Sequence, residues 1–266
     1  MINLPLYKQG IKSNYKICLI FLTILTMYIT IIVSMYDPQN AGLMAEFADT
    51  MPEMMAMVGM SGVPTNLTTF LVTYLYGFLF LVIPLVSIII FSNKLVASHT
   101  DKGSISYLLA SPNKRKKIVL TQISVLLTFV FTIIIYSTFL SILTSSLIFP
   151  GDLLIPEFLF LNLGLLILHI TVSGICFIGS CIANESKTSL MIGAGIPLIS
   201  FLIQMLANMG GKLDSLKYLS FFTLFDTTGL LKFETNSIIM IIILLIIGIT
   251  LYSAAYKIFI KKDFSV

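Results

Sequence analysis

The chain has 266 residues, of which 57% are hydrophobic and 11% charged, with a mean hydropathy of +1.01 and a formal charge of +4. A soluble globular domain carries about a quarter charged residues, so this balance excludes one. It places the chain in a bilayer, and the six apolar stretches described below leave no segment long enough for a separate soluble catalytic domain.

The first residues, Leu4–Lys16, set Leu6, Ile11 and Tyr15 among Lys8, Lys12 and Lys16. That alternation predicts an amphipathic helix lying at the membrane interface. An apolar stretch follows over 17–36. Its length and the lack of a small-x-small cleavage site favour a retained helix over a signal peptide. Further stretches run over 67–92, 118–149, 158–182, 189–208 and 238–256, free of Asp, Glu, Lys and Arg. Each reaches the ~20 residues needed to cross ~30 Å of hydrocarbon. Backbone groups in lipid must be satisfied within their own segment, so all six are read as helices. The fold class is all-α, a polytopic membrane protein with six transmembrane helices.

With a cytoplasmic N-terminus, the inner segments hold thirteen basic residues, from Lys8 to Lys262, and the outer segments only Lys212, Lys217 and Lys232. This asymmetry predicts both termini inside. Beside membrane spans, the basic clusters read as anchors for anionic lipid headgroups, with no nucleic acid as partner.

The loop after the first span holds Thr50-Met-Pro-Glu53, read as a capping box that opens a helix. Met44, Phe47, Met51, Met54 and Val58 keep a 3-4-3-4 spacing there. Three readings compete for this surface: packing on the bundle, contact with an apolar or amphipathic substrate, and copper held by thioethers. Nearby His and Cys ligands are missing, so no metal residues are assigned.

Between the second and third spans the chain reads NKLVASHTDKGSISYLLASPNKRKK. Thr100, Asp101 and Ser104 are capping candidates for a short helix whose Ile105, Leu108 and Leu109 share one face, with Tyr107 beside it. Pro112 stops that helix and Lys114–Lys117 anchor the next span. Such a helix can lie on lipid or fit a groove in a cytoplasmic partner, and the flanking spans would transmit a partner's movement.

Pro84 and Pro197 fall inside spans and predict bends. Gly179, Ala183, Gly193 and Gly195 permit close helix contact. His169 is the one ionisable group of the usual functional kinds within a span, read as a structural hydrogen-bonding residue. Cys18, Cys176 and Cys181 read as packing residues. No HExxH, carboxylate pair or GxSxG setting is present, and Gly211–Lys212 fails the phosphate-loop pattern on both sides. No catalytic residue is assigned, and the work must be powered from elsewhere. The loop over 209–236 gathers Tyr218, Phe221, Phe222, Phe225 and Phe233, suited to the headgroup boundary or to short helices; Asp226 is read as a cap for the turn that follows.

The segment GSISYLLASPNKR, Gly103 to Arg115, resembles the first cytoplasmic loop of ABC-2 type exporter permeases, which shows an acidic lead-in, Gly-Thr, a Leu-Leu pair, a small residue, Ser/Thr-Pro and a basic residue. Ser104 stands where Thr is usual and Ser106 where Glu is frequent. The ending Phe259-Ile-Lys-Lys-Asp263-Phe264-Ser-Val266 resembles theirs too. The resemblance implies a single transmembrane domain without its own ATP site. It implies a separate ABC ATP-binding subunit in two copies, carrying ATP and Mg, and a second permease chain, identical or related. It assigns Thr100–Ser111 as the helix coupling to the ATPase, with Thr100, Asp101, Gly103, Ser104, Ile105, Tyr107, Leu108, Leu109, Ser111 and Pro112 as contacts and Glu185 as a smaller second contact. The N-terminal segment becomes an elbow helix. Met44, Phe47, Met51, Met54, Phe221, Phe222 and Phe225 become the candidate substrate path or outer gate. Spans without charge imply an apolar path or a lateral opening to lipid, for amphipathic peptides, lantibiotic-like peptides, lipophilic drugs or lipid-linked molecules. The Ile- and Lys-rich usage points to the plasma membrane of a low-GC Gram-positive bacterium, and peptide export of the phenol-soluble modulin or lantibiotic type is the preferred reading. The alternatives are the membrane-embedded binding component of an ATP-driven importer, or a non-transporting scaffold or sensor.

Overall fold

A computed structural model describes residues 2–37, 51–60, 64–101, 103 and 114–262. Within these residues the regular structure is entirely helical. Six helices are long and apolar enough to cross a membrane: Leu4–Met35, Leu67–Asp101, Arg115–Ile148, Ile155–Ile182, Ser186–Asn208 and Thr235–Lys261. They extend beyond the apolar stretches because hydropathy marks only the part immersed in hydrocarbon, whereas the backbone ladder continues into the polar boundary. The N-terminal basic segment is part of this: Leu4–Met35 is one unbroken helix of 32 residues, with Asn3 as its cap accepting from Leu6 N–H.

Burial orders the bundle. The fourth span is 67% buried over its apolar window, the first 17% and the sixth 22%. The fourth span therefore forms the centre, and the first, fifth and sixth present apolar faces to the surroundings. The fourth packs on the sixth through Gly174 and Gly248, where Thr171 Oγ1 donates to Leu244 O at 2.8 Å and Ser173 Oγ meets the Tyr252 hydroxyl at 2.6 Å. The first packs along the third, with Gly10 against Val125 and Thr26 Oγ1 2.6 Å from the Tyr136 hydroxyl. Such interhelical bonds average about 0.6 kcal/mol in membrane proteins, so they fix register more than they supply stability. Phe91 and Phe129 stack at 4.0 Å between the second and third spans.

The second span is composite. A helical turn at Leu67–Leu71 passes into a π-helix over Val72–Leu79 and then an α-helix over Phe80–Leu95. Pro84 lacks the N–H that would serve the Phe80 carbonyl four residues earlier, and the widened stretch ends immediately before that point. Asn66 caps the start through a reciprocal pair with Thr69.

Asn3, Arg115, Lys262 and the Ile182–Ala183 turn gather at one end, called here the terminal end. There Arg115 Nη1 donates to Lys262 O at 2.9 Å, and Asn3 N–H to Thr121 Oγ1 at 2.9 Å. The opposite, distal end is closed by Tyr36, whose ring lies 5.2 Å from Phe70 and 5.1 Å from Phe149, and by Leu154 N–H donating to Thr68 Oγ1 at 2.9 Å.

The helix expected from a Thr50 capping box begins at Pro52 and runs to Met57, with Met51 in the cap position and no side-chain capping bond. Proline at the first helical position, where its missing N–H costs nothing, shifts the start by one residue. Thr50 itself lies outside the described residues.

Candidate functional site

The terminal end is built around three serines. Ser180 Oγ on the fourth span donates to Ser92 O on the second at 3.1 Å and lies 3.0 Å from Ser189 Oγ on the fifth. All three are buried, at 0%, 1% and 2% exposure for Ser92, Ser180 and Ser189. Immediately before Ser180, Gly179 meets Gly193: a Cβ on Gly179 would stand 2.7 Å from Gly193 N, so only glycine allows this crossing. Cys176 Sγ donates to Gly193 O at 3.1 Å. The second span thus leaves the bundle locked to the fourth and fifth. Lys262 completes the lock by donating to the carbonyls of Ile182, at 3.1 Å, and Ala183. A cation there satisfies carbonyls that the end of the fourth helix leaves free. Partial burial pushes this ammonium below the usual lysine range.

From that lock the chain continues through buried Val96 and Ala97 into a short helix, Ala97–Asp101. Thr100 and Asp101 were expected to open a helix reaching Ser111. They instead close this one: Thr100 Oγ1 turns back to Val96 O at 3.3 Å, and Gly103 N–H donates to Thr100 O. Gly103 has φ +66, a left-handed conformation that ends a helix. The short helix Ala97–Asp101 therefore ends before Gly103. Ser104, Ile105, Tyr107, Leu108, Leu109, Ser111 and Pro112 lie outside the described residues. Glu185 is exposed and occupies the cap position of the fifth span without a side-chain capping bond.

The distal end holds a cavity of about 540 Å³ between the second span, the fifth span and the loop before the sixth. The π-helix supplies Val72, Thr73, Tyr76 and Gly77; the fifth span supplies Gln204 and Asn208; the loop supplies Phe222, Thr223, Phe225 and Asp226. Gly77 is also where the short distal helix is tied down. A Cβ on Gly77 would lie 2.7 Å from Val58 O, and Gly59 opposite takes φ +74. The short helix therefore packs as a distal cap, while Met51 and Met54 are 55% and 61% exposed and do not line the cavity. Met44 and Phe47 lie outside the described residues.

Of the aromatic gate candidates, Phe222 and Phe225 are buried and line the cavity, with Phe222 edge-on to Phe201 at 5.4 Å. Phe221 stacks on Phe222 at 4.6 Å but faces a different groove, beside Ile196 and Ser200. Serine bonds hold this loop: Ser220 Oγ donates to Ser200 O at 2.9 Å. Asp226 caps the Thr227–Leu231 helix as expected, accepting from Gly229 N–H at 3.2 Å, and it also accepts from Thr228 Oγ1 at 2.8 Å and from Ser237 Oγ of the sixth span at 2.7 Å. Partial burial raises its pKa, but these donors together hold the carboxyl below the usual range.

The polar strip on the fifth span was missed from sequence. Gln204 Nε2 donates to Asn208 Oδ1 at 3.0 Å, and Gln204 Oε1 accepts from Thr223 at 2.6 Å. Two amides four residues apart in an apolar run were the available signal. His169 bridges helices, with Nδ1 2.9 Å from Leu165 O and Nε2 3.4 Å from Leu81 O on the second span. Among the described residues no three His, Cys, Asp or Glu side chains gather as a metal site.

A family model for ABC-2 family transporter proteins matches residues 7–264, nearly the whole chain, so the chain belongs to that family. No curated protein and no solved structure matches it. The chain is a multi-pass membrane component of transport, and its family implies an ABC ATP-binding partner.

Proposed function

We propose that this member of the ABC-2 transporter family is the permease subunit of an exporter, moving an amphipathic peptide outward with ATP hydrolysed by a separate subunit. In this reading the terminal end is cytoplasmic, as the basic residues favour. The segment from Thr100 to Pro112 docks into the ATPase, and Glu185 makes a smaller contact beside it. The observation that carries the reading is the Ser92–Ser180–Ser189 lock, because it joins the root of the docking segment to the fourth and fifth spans. A push on the loop therefore reaches the bundle's centre as a rigid-body movement. The exposed apolar faces of the first, fifth and sixth spans serve lipid and a second permease chain. Closure of two ATPase subunits then shifts the permease pair between alternate states.

The distal cavity is the outer part of the path, with Phe222 and Phe225 in its wall. Its location within one chain is the feature that favours the second reading, a membrane-embedded binding component of an importer. Direction separates the two. Inside-out vesicles containing the chain and its ATPase partner should accumulate a fluorescent amphipathic peptide when given ATP. Uptake confined to right-side-out vesicles would replace the exporter reading with the importer one.

A further inference from the structure

The terminal end carries a groove of about 500 Å³ between Ile182, at the end of the fourth span, and Lys257, Ile258, Lys261 and Lys262 on the sixth. Lys262 builds it: its ammonium donates to the carbonyls of Ile182 and Ala183 and so pins the sixth span to the end of the fourth. Lys257 and Lys261 are exposed and stand one helical turn apart on one face. Among the described residues neither bonds to a carboxylate, and no carboxylate lines the groove; Asp263 lies outside those residues. Like charges four residues apart repel one another, and Lys262 adds a third. The free carbonyls of a helix end favour a cation in its last turn, which accounts for Lys261 but not for Lys257, a turn earlier.

The same face continues into the membrane as an apolar strip. Ile242, Ile246 and Ile249 precede Ser253, Lys257 and Lys261 at spacings of three or four, and the three isoleucines are 51%, 55% and 57% exposed. From Ile246 to Lys257 the helix rises about 16 Å, the depth of one leaflet in a hydrocarbon core of ~30 Å. We propose that this groove is a binding site for an anionic phospholipid, its phosphate held between Lys257 and Lys261 and one acyl chain lying along Ile249 and Ile246. The order of charge along the face argues for this occupant over a second copy. Copies related by a two-fold axis along the membrane normal meet at equal depth, so pairing through this face sets Lys257 and Lys261 against their own counterparts. An anionic headgroup instead relieves their repulsion. The site goes beyond the permease reading and is independent of the direction of transport.

The chain contains no tryptophan, so a single one introduced by Ser253→Trp reports the lipid beside that face. The test places this full chain in phosphatidylcholine vesicles and reads quenching of its fluorescence by phosphatidylglycerol or phosphatidylcholine with brominated acyl chains. The anionic lipid should associate about tenfold or more tightly, as two lysines at the surface imply. At Ile135→Trp, on the exposed face of the third span, the two lipids should quench equally. Lys257→Gln with Lys261→Gln should remove the preference at Ser253→Trp while quenching by phosphatidylcholine persists. Lys8→Gln with Lys12→Gln, on the first span, should leave the preference intact. Equal quenching by the two lipids with every lysine in place would overturn the assignment, and so would a preference that survives the loss of Lys257 and Lys261. The same preference at Ile135→Trp would show general attraction of the anionic lipid, and protection of Ser253→Trp from both lipids would show a face covered by protein; either overturns the site. Because no ATP-binding subunit is present, failure here removes this site alone, whereas failure to recover that subunit from membranes removes the permease reading.

Discussion

Ser180 Oγ on the fourth span donates to the backbone carbonyl of Ser92 on the second, 3.1 Å away, at the point where the second span leaves the bundle. Ser189 Oγ lies 3.0 Å from the same hydroxyl. A single side chain thus ties three spans together beneath the loop that the family resemblance assigns to the ATPase.

Replacing Ser180 by Ala removes the bonds without adding bulk. Stability should fall by about 0.6 kcal/mol, at most ~1.7, a change visible as a small shift in unfolding by mild detergent titration. The larger effect falls on coupling: ATP turnover by the assembled complex should persist while peptide accumulation drops. Full transport in Ser180→Ala would show that the lock carries no motion.

The crossing of the fourth and fifth spans depends on backbone contact at Gly179 and Gly193. Gly179→Val places two methyl groups where a single Cβ already meets Gly193 N at 2.7 Å. Overpacking of this kind costs about 1–3 kcal/mol. The variant should lose folded yield in nanodiscs. Gly195→Ala, where nothing lies within 4 Å of an added Cβ, should match the unaltered chain.

The Asp226 latch gives a pH dependence whose sign follows from its donors. Ser237, Thr228 and Gly229 hold the folded carboxyl below its ordinary value of 3.8. A depressed carboxyl contributes stability above the unfolded value and loses it as pH falls through the lower, folded one. The distal loop should therefore be equally protected at pH 7 and pH 5 and should open only on acidification below about 4. Hydrogen exchange at Thr227–Leu231 measures this. Asp226→Asn should flatten the acid limb, and an unchanged acid limb in that variant would show that another group controls it.

Much of this architecture is legible in the residues. Uninterrupted apolar runs give all six spans, the Pro84 and Pro197 positions fall inside helices, and Asp226 before Thr-Thr-Gly reads correctly as a cap. Other features leave no compositional trace. Val72–Leu79 has the same apolar character whether its turns are α or π, so the widened stretch that lines the cavity with Thr73 and Gly77 leaves no mark in the composition. Thr100 and Asp101 carry cap chemistry usable at either end of a helix, and among the described residues they stand in the last turn of Ala97–Asp101, before the left-handed Gly103. The cavity itself joins residues more than 150 positions apart, from Val72 to Met240. An expectation of an apolar path, drawn from uncharged spans, overlooked the amides of Gln204 and Asn208.

The most direct test of the account is recovery of the ATP-binding subunit on the tagged chain from gently solubilised native membranes, for the unaltered chain and for Leu108→Asp. A charge placed on the apolar face of the docking segment should remove the subunit and its ATP turnover, while the chain itself remains folded and in the membrane. Stoichiometric recovery with Leu108→Asp, or recovery of the unaltered chain alone across several detergents, would contradict the coupling of this permease to an ATPase through that loop.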